Sequence, residues 1–263
     1  MARVLITGCS TGIGRATAVE CTKRGHEVVA TARRPETLDD LDVARRLRLD
    51  VDDDTSVGDA VRAAGTIDVL VNNAGWEVSA PVERGPIDVV RAMFETNYFG
   101  TLRMVQAVVP QMRARGDGVI VNVSSVAGKV APPFGAFYAS TKFAVEALSE
   151  AMHYELTHFG IRTVIVEPGS IETNFSNNVK NLGKDAPYDE LNAQWEGAQR
   201  RLLSTEAPGG EVVAAVIADA IEDPSSPLRR PVGEDAELVI ATRKSMDDAT
   251  FEATMRETLG ITW

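Results

Sequence analysis

The chain has 263 residues, of which 44% are hydrophobic and 25% charged, proportions typical of a globular protein with a sizeable core. Its net charge of -11 argues against a nucleic acid or an anionic membrane as partner, because both are bound by basic surfaces. No apolar run approaches the roughly 18 residues of a membrane-spanning helix, and Val4-Leu5-Ile6 is too short for the core of a signal peptide.

Short β-branched runs alternate with helical stretches along the chain. Strands are predicted at 3–7, 26–31, 47–51, 68–72, 119–124 and 162–167. Helices are predicted near 12–24, 53–64, 87–114, 137–158 and 209–222. Several strands are almost continuously apolar, as expected for strands covered on both faces. The alternation predicts a single α/β domain over 1–263, with a doubly wound, Rossmann-like parallel β-sheet and helices on both faces.

A glycine-rich turn joins the first predicted strand to the first helix. It runs Thr7-Gly8-Cys9-Ser10-Thr11-Gly12-Ile13-Gly14, a Gly-x3-Gly-x-Gly spacing. Glycines allow the backbone to approach a pyrophosphate closely, and the helix N-terminus offers free N–H groups to an anion. A glycine turn without a ligand is the alternative. The predicted phosphate-binding residues are Gly8, Ser10, Thr11, Gly12, Ile13 and Gly14.

The only two cysteines lie in this first βα unit. Cys9 is in the glycine turn and Cys21 is near the end of the helix that follows. A helix rises about 1.5 Å per residue, which separates the two thiols too far for a disulfide. Unpaired cysteines fit a reducing compartment, so we expect a cytoplasmic protein.

The second predicted strand ends in Thr31-Ala32-Arg33-Arg34, without an acidic residue. An NAD site usually places an acid here for the free ribose hydroxyls. A guanidinium instead suits the additional 2′-phosphate of NADP. Arg33, helped by Arg34, therefore favours NADP(H) over NAD(H), although a surface arginine without a ligand is also common after a strand.

Tyr138 and Lys142 are four residues apart in a predicted helix. This spacing places both side chains on one helical face, where an ammonium can favour the ionised form of a phenol. Lowering a tyrosine pKa by about three units takes roughly 4 kcal/mol of differential stabilisation. The pair therefore predicts a tyrosine that exchanges protons near neutral pH, although such pairs also occur by chance in amphipathic helices.

The segment 174–207 breaks the βα alternation with a long polar stretch that contains Phe175, Tyr188 and Trp195. Long excursions inside a compact domain are usually binding loops or lids. We predict a substrate lid here, with a variable surface insertion as the alternative.

Together these motifs resemble those of the short-chain dehydrogenase/reductase family, in its short single-domain branch. The matching residues run through most of the chain: the glycine turn at 7–14, Asp50-Val51, Asn72-Asn73-Ala74-Gly75, Asn97, Ser124-Ser125, Tyr138-x3-Lys142, Pro168-Gly169 and Thr173. The stretches 7–14, 30–33 and 138–142 are also similar to hydroxysteroid and retinol dehydrogenase-like members.

The resemblance implies a catalytic set of four residues. Tyr138 is expected to exchange a proton with the substrate oxygen, and Lys142 to bind the nicotinamide ribose and lower the tyrosine pKa. Ser125, which lies thirteen residues before Tyr138, fits the hydrogen-bonding serine better than Ser124 does. Asn97 is expected to hold a water that relays protons to Lys142; a satisfied polar residue in a helix is the alternative.

The resemblance also implies how a cofactor is held. Asp50 and Val51 are expected at the adenine, and Asn73, with Ala74 and Gly75 beside it, at the sheet and ribose. The nicotinamide carboxamide is expected at Pro168, Gly169, Ile171 and Thr173. Some NADP-preferring relatives carry a basic residue before the second glycine, where this chain has Thr11. NADP preference therefore rests on Arg33, and NAD remains possible. No metal site is predicted.

The expected reaction interconverts a carbonyl and a secondary alcohol, with Tyr138 as proton donor or acceptor. Expected substrate walls are Trp76, 129–134, Phe137 and the lid; because most are apolar or aromatic, they favour a bulky apolar small molecule. An NAD-linked alcohol dehydrogenase and a non-catalytic NADP-sensing regulator are the alternatives.

Two helices are also expected to mediate assembly. The helix at 137–158 is apolar on more than one face. In the family that the sequence resembles, this helix and the helix at 87–114 form a dimer contact. We therefore expect a homodimer or homotetramer. Burial of that face under the C-terminal tail of the same chain is the alternative.

Overall fold

The computed structural model describes residues 1–173, 179–202 and 207–262. Within this part the strands are β1 (Arg3–Ile6), β2 (Glu27–Ala32), β3 (Arg45–Arg48), β4 (Val69–Asn72), β5 (Val78–Ser79), β6 (Gly118–Val123), β7 (Ile161–Pro168), β8 (Lys180–Asn181) and β9 (Arg229–Val232). Seven of them form a parallel sheet in the order β3-β2-β1-β4-β6-β7-β9, and β5 pairs with β8. The predicted fold class is confirmed.

The helices lie on both faces of this sheet. They are α1 (Gly12–Lys23), α2 (Asp54–Ala64), α3 (Ile87–Phe94), α4 (Thr101–Arg115), α5 (Ala136–Thr157), α6 (Asp189–Leu202), α7 (Gly210–Glu222), α8 (Glu234–Ser245) and α9 (Asp248–Leu259). Alternate residues of β1 enter two different cores. Val4 and Ile6 pack with α1 and α7, while Leu5 packs with α2, α4 and α5. Coverage on both faces explains why the central strands are mostly apolar.

Two edge strands differ from their predictions. The third strand was predicted at 47–51 but spans Arg45–Arg48, because Leu49 and Val51 leave the sheet and pack into the α2–α4–α5 core. The strand β9 was not predicted, since its sequence contains two arginines and Pro231. A proline is tolerated there because an edge strand has no neighbour on its outer side.

The helix predicted at 87–114 is interrupted. Between α3 and α4 the chain forms a π-helical stretch, Glu95–Gly100, which includes Asn97. Gly100 allows close packing here, since a Cβ on it would lie 2.7 Å from Val51 Cγ2. Such π-helical insertions are often found at functional sites.

Two further features bear on the sequence predictions. Cys9 and Cys21 are both buried free thiols. In the described ranges, we find no helix whose length and apolar character would let it cross a bilayer. The remaining helices, α6, α8 and α9, were not predicted.

Candidate active site

The carboxyl ends of the main strands open into one cleft of about 1410 Å³. In parallel sheets of this type, ligands bind where the strand order reverses, here between β1 and β4. The volume exceeds the roughly 300–1,000 Å³ of a pocket for one drug-sized ligand, so the cleft can hold a dinucleotide and a second molecule. All predicted site residues line it except Gly14 and Asn97.

The glycine turn forms a close-fitting cradle between β1 and α1. Gly8 and Gly12 have positive φ angles of 74° and 60°, a conformation that favours glycine. A Cβ on Gly14 would lie 2.5 Å from the Gly8 carbonyl oxygen, so Gly14 serves the packing beneath the turn and not the cleft itself. The Thr11 side chain does not cap α1. The first N–H groups of α1 therefore remain free to bind a phosphate.

Asn73 fastens the loop after β4 to this turn. Its side-chain amide donates to the Thr7 and Gly8 carbonyl oxygens at 2.9 and 3.2 Å. In return, the Thr7 hydroxyl accepts hydrogen bonds from the Asn73 and Ala74 N–H groups. These bonds hold the floor of the cleft, where Ala74 and Gly75 also lie.

The guanidinium groups of Arg33 and Arg34 lie at the outer end of the cleft, after β2. Both residues are exposed, and within the described residues neither guanidinium forms an ion pair. Asp50 and Val51 line the same end of the cleft. Two solvent-facing cations without carboxylate partners suit a ligand that carries a phosphate at this position.

Ser125 and Tyr138 both line the cleft, and the Ser125 hydroxyl is close enough to act on the pKa of the Tyr138 hydroxyl. Ser125 comes directly after β6 and Tyr138 lies in the first turn of α5, so a strand end and a helix start bring them together. The Lys142 ammonium lies 5.5 Å from the Tyr138 ring centroid and donates to the Val123 carbonyl oxygen at 2.8 Å. Ser124 also lines the cleft, but its hydroxyl lies toward Gly128, where an added Cβ would be 2.8 Å from it.

Ser125, Tyr138 and Lys142 form a trio in the cleft, and the pKa shifts of its members differ from the prediction. Burial, helped by the charge of Glu77, raises the pKa of Tyr138, although the hydrogen bond with Ser125 opposes the shift. Burial also lowers the pKa of Lys142 to about 8, against the opposing charges of Glu146 and Glu77. Desolvation disfavours the charged form of both groups, and in the protein alone it outweighs the attraction between phenolate and ammonium.

Asn97 lies behind the cleft wall, not in it. Its side-chain oxygen accepts from the Trp76 N–H at 3.0 Å, and its amide donates to the Trp76 carbonyl and the Thr141 hydroxyl. The side chain thus joins the loop after β4 to α5 and fixes the position of Trp76. The expected role in holding a water stays a prediction.

The loop after β7 forms the wall opposite the glycine turn. Pro168, Gly169, Ile171 and Thr173 all line the cleft. Asp235 anchors this loop by accepting a 2.7 Å hydrogen bond from the Ser170 N–H. A Cβ on Gly169 would lie 2.1 Å from the Asp235 carboxylate, so a larger residue here would displace the side chain that anchors the loop.

A group of buried charges lies directly behind the trio. The Glu146 carboxylate, one helical turn beyond Lys142, is 3.0 Å from Arg229 and 3.4 Å from Lys129. Glu167, near the end of β7, is fully buried beside the same two cations at 3.7 and 3.9 Å. Burial and the nearby Glu146 carboxylate raise the pKa of Glu167 to about 7. Glu167 therefore keeps its proton at pH values where an exposed carboxyl is ionised.

The substrate end of the cleft is only partly as predicted. Trp76 and Trp195 line it, as do Pro132 and Pro133. Several other predicted wall residues lie elsewhere in the described chain: Lys129 is in the charged group, Phe134 is buried against Tyr188, and Phe137 packs against Gly85. Phe134 has a φ of +62°, unusual for a bulky residue.

The predicted lid can be followed only in part. From 179 to 202 it comprises β8, which pairs with β5, and α6, which contributes Trp195 to the cleft. The predicted lid residue Phe175 lies outside the described residues. The lid function stays a prediction.

Sequence reasoning missed polar residues at the substrate end. Glu77, Asn181, Lys184 and Gln199 line the cleft together with the aromatic side chains. Nothing in their local sequence distinguishes them from surface polar residues. Trp76, directly before Glu77, was the only neighbouring residue that the sequence indicated as part of the substrate site.

Comparison with known proteins places this cleft in a family. The family model for short chain dehydrogenases matches residues 2–182. A 3-ketodihydrosphingosine reductase from Bacteroides thetaiotaomicron is 33% identical over 92% of this chain and 91% of its own length. Human retinol dehydrogenase 8 is 35% identical over 86% of this chain and 80% of its own. A Burkholderia cenocepacia short chain dehydrogenase solved in complex with NADP superposes with a TM-score of 0.80 at 26% identity, covering 97% of both chains.

The chain belongs to the short-chain dehydrogenase/reductase family of oxidoreductases. The glycine cradle, the free N–H groups of α1 and the polar floor at Asn73 fit a nicotinamide dinucleotide. Such a cofactor supplies the hydride chemistry that none of the protein side chains can provide.

Proposed function

We propose that the protein interconverts a bulky ketone and the corresponding secondary alcohol with NADP(H) as cofactor. One observation carries the proposal: the hydroxyls of Ser125 and Tyr138 and the ammonium of Lys142 converge in the same cleft as the glycine cradle. A carbonyl oxygen held by both hydroxyls would receive two hydrogen bonds as negative charge develops on it.

Each residue of the trio has a separate task in this proposal. Tyr138 gives a proton to the substrate oxygen in reduction and takes it back in oxidation. Ser125 orients that oxygen. Lys142 holds the ribose next to the nicotinamide, and its charge favours the tyrosinate when a substrate is being oxidised. In the protein alone, burial keeps Tyr138 protonated at neutral pH, which is the form that reduction requires.

The preference for NADP(H) rests on Arg33 and Arg34. A 2′-phosphate at the outer end of the cleft would meet two cations that have no carboxylate partner among the described residues. The Burkholderia structure with NADP is consistent with this preference. An NAD-linked alcohol dehydrogenase is the competing hypothesis, and Thr11 in the glycine turn favours it.

The proposed substrate is a bulky, largely apolar small molecule. Trp76, Trp195 and two prolines provide its apolar walls. The relatives named for retinol and for 3-ketodihydrosphingosine are in keeping with a substrate of this size. The 174–207 segment would close over it as a lid.

We further propose a cytoplasmic homo-oligomer. The outer face of α5 exposes Phe143 by 46% and Tyr154 by 73%, and neighbouring Phe99 is 43% exposed. The C-terminal helix α9 packs against α6 and does not take up this face. We therefore propose that a second copy of the chain packs on this face of α5, in a dimer or tetramer.

A panel of steroid, retinoid and keto-ester substrates, followed by NADPH and NADH absorbance, tests the proposal. We expect turnover of bulky ketones, with a higher kcat/KM for NADPH than for NADH. Equal or better use of NADH would contradict the role of Arg33, and activity confined to small polar sugars would contradict the substrate class. A protein that binds NADPH but turns over no carbonyl or alcohol would favour the regulator hypothesis, which leaves the complete trio unexplained.

A further inference from the structure

Glu77 occupies a fixed position at the substrate end of the cleft. On one side, Asn97 holds both the N–H and the carbonyl of Trp76 at 3.0 Å. On the other, the Glu77 carbonyl accepts from the Lys180 N–H at 3.3 Å and the chain continues into β5. Because the backbone is held on both sides, the side chain that lines the cleft here is positioned by the fold.

The carboxylate of Glu77 has no protein partner in the described ranges. No N–H group, hydroxyl or cation there lies within hydrogen-bond or ion-pair distance of it, although Lys184 lines the same cleft and is close enough to act on it electrostatically. The residue is nevertheless partly buried, and burial raises its pKa. Burying a carboxylate without a hydrogen-bond donor costs desolvation free energy. A ligand that supplies the donor recovers part of that free energy on binding.

The position of Glu77 relative to the trio limits where that donor lies. Its charge acts on both the Tyr138 hydroxyl and the Lys142 ammonium. The loop that carries Glu77 is also held against the start of α5, because the Asn97 amide donates to both the Trp76 carbonyl and the Thr141 hydroxyl, so Glu77 lines the same part of the cleft as Tyr138 and Lys142. A ligand group that reaches Glu77 must therefore be carried close to the reacting carbon.

We propose that Glu77 is a specificity-determining residue that accepts a hydrogen bond from a hydroxyl or ammonium group on the carbon next to the reacting carbonyl. The inference rests on the proposed carbonyl reduction and refines its substrate class. The preferred substrate would join an apolar body, packed against Trp76 and Trp195, to a polar α-hydroxy or α-amino ketone.

Three ketones of similar size test this proposal: propiophenone, 2-hydroxyacetophenone and 2-aminoacetophenone. Their kcat/KM values are measured with the wild type, Glu77→Gln and Glu77→Ala. Glu155→Gln, an exposed change on α5, is the matched control. A hydrogen bond to a charged group corresponds to roughly tenfold or more in specificity. We expect the wild type to prefer at least one substituted ketone over propiophenone by about that factor.

The two variants show whether the donor on the substrate is a hydroxyl or an ammonium group. Glu77→Gln keeps an acceptor but loses the charge, so it should abolish a preference for the amino ketone and retain one for the hydroxy ketone. Glu77→Ala should abolish both preferences, and the readout is the ratio of kcat/KM values among the three ketones, because a general change in turnover cancels in that ratio. Cofactor affinity and melting temperature, measured alongside, show that each variant is folded.

Two results would overturn the inference in different ways. If the wild type reduces propiophenone and the substituted ketones with ratios that Glu77→Ala leaves unchanged, Glu77 does not select the substrate and the proposed reaction stands. If none of the three ketones and none of the larger panel is reduced, the proposed reaction itself fails and the inference fails with it.

Discussion

The two ends of the cleft are built in different ways. The cofactor end consists of short turns at the carboxyl ends of β1, β2 and β4, and each turn carries its own motif. The substrate end is assembled from segments far apart in sequence, such as Glu77 beside β5, Pro132 before α5 and Trp195 in α6. Short-range motifs therefore specify the cofactor, while the substrate pocket depends on how distant segments pack.

Tyr138 lies where the two ends meet, so its removal should have the largest effect. We expect Tyr138→Phe to lower kcat by about 10²- to 10⁴-fold, the usual contribution of a general acid or base. NADPH affinity, measured by fluorescence titration, should change little because the variant keeps the ring. Tyr154→Phe, on the exposed face of the same helix, is the control. Unchanged turnover in Tyr138→Phe would exclude it as the proton donor.

Substituting Arg33 tests the outer end of the cleft, where the 2′-phosphate is proposed to bind. Arg33→Leu removes a charged hydrogen-bond donor from the proposed 2′-phosphate, which corresponds to about 10- to 100-fold in affinity. We expect the Kd of NADPH to rise by this factor and that of NADH to stay nearly constant. Arg34→Leu should give a smaller change in the same direction. A parallel loss for both cofactors would instead indicate a structural role for Arg33.

Gly14 tests whether the cradle depends on close packing. A Cβ there would lie 2.5 Å from the Gly8 carbonyl oxygen and 2.3 Å from the Asn73 amide, and backbone cannot yield as a flexible side chain can. We expect Gly14→Ala to destabilise the fold by about 1–3 kcal/mol and to weaken cofactor binding. Gly58 in α2 has open space around it, so Gly58→Ala should stabilise by about 0.5–1 kcal/mol. Denaturant unfolding and cofactor titration measure both.

Glu167 is expected to affect stability alone, in a way that depends on pH. Its pKa is raised from 4.5 to about 7 in the fold, so the folded state favours the protonated form. The stability that this protonation provides is complete below pH 4.5 and is lost as the pH rises through about 7. The loss should be on the order of 3 kcal/mol.

The amide in Glu167→Gln imitates the protonated acid. The variant should therefore show a flatter dependence of melting temperature on pH between pH 4.5 and about 7, the range between the unfolded and folded pKa values. Glu150→Gln is the control, because Arg229 lowers the pKa of the Glu150 carboxyl and its titration lies at more acidic pH. The same slope in wild type and Glu167→Gln would show that Glu167 does not titrate in this range.

Local motifs predicted the cofactor end well. Glycine at positions 8 and 12 is required by a backbone conformation, so it can be recognised without knowing what packs nearby. The spacing of Tyr138 and Lys142 likewise depends only on helix geometry. The sequence did not predict how strongly these two side chains are buried. Their pKa shifts therefore differ from those expected for an exposed pair.

The sequence by itself determined the α/β fold, the glycine cradle and the residues of the trio, because periodicity and turn chemistry act over a few residues. Tertiary structure decided the edge strand with Pro231, the place of Asn97 behind the wall and the buried pair of Glu146 and Glu167. It also brought Glu77 into the cleft. Burial and long-range charge depend on which distant segments meet, and that information is not present in any short stretch of the chain.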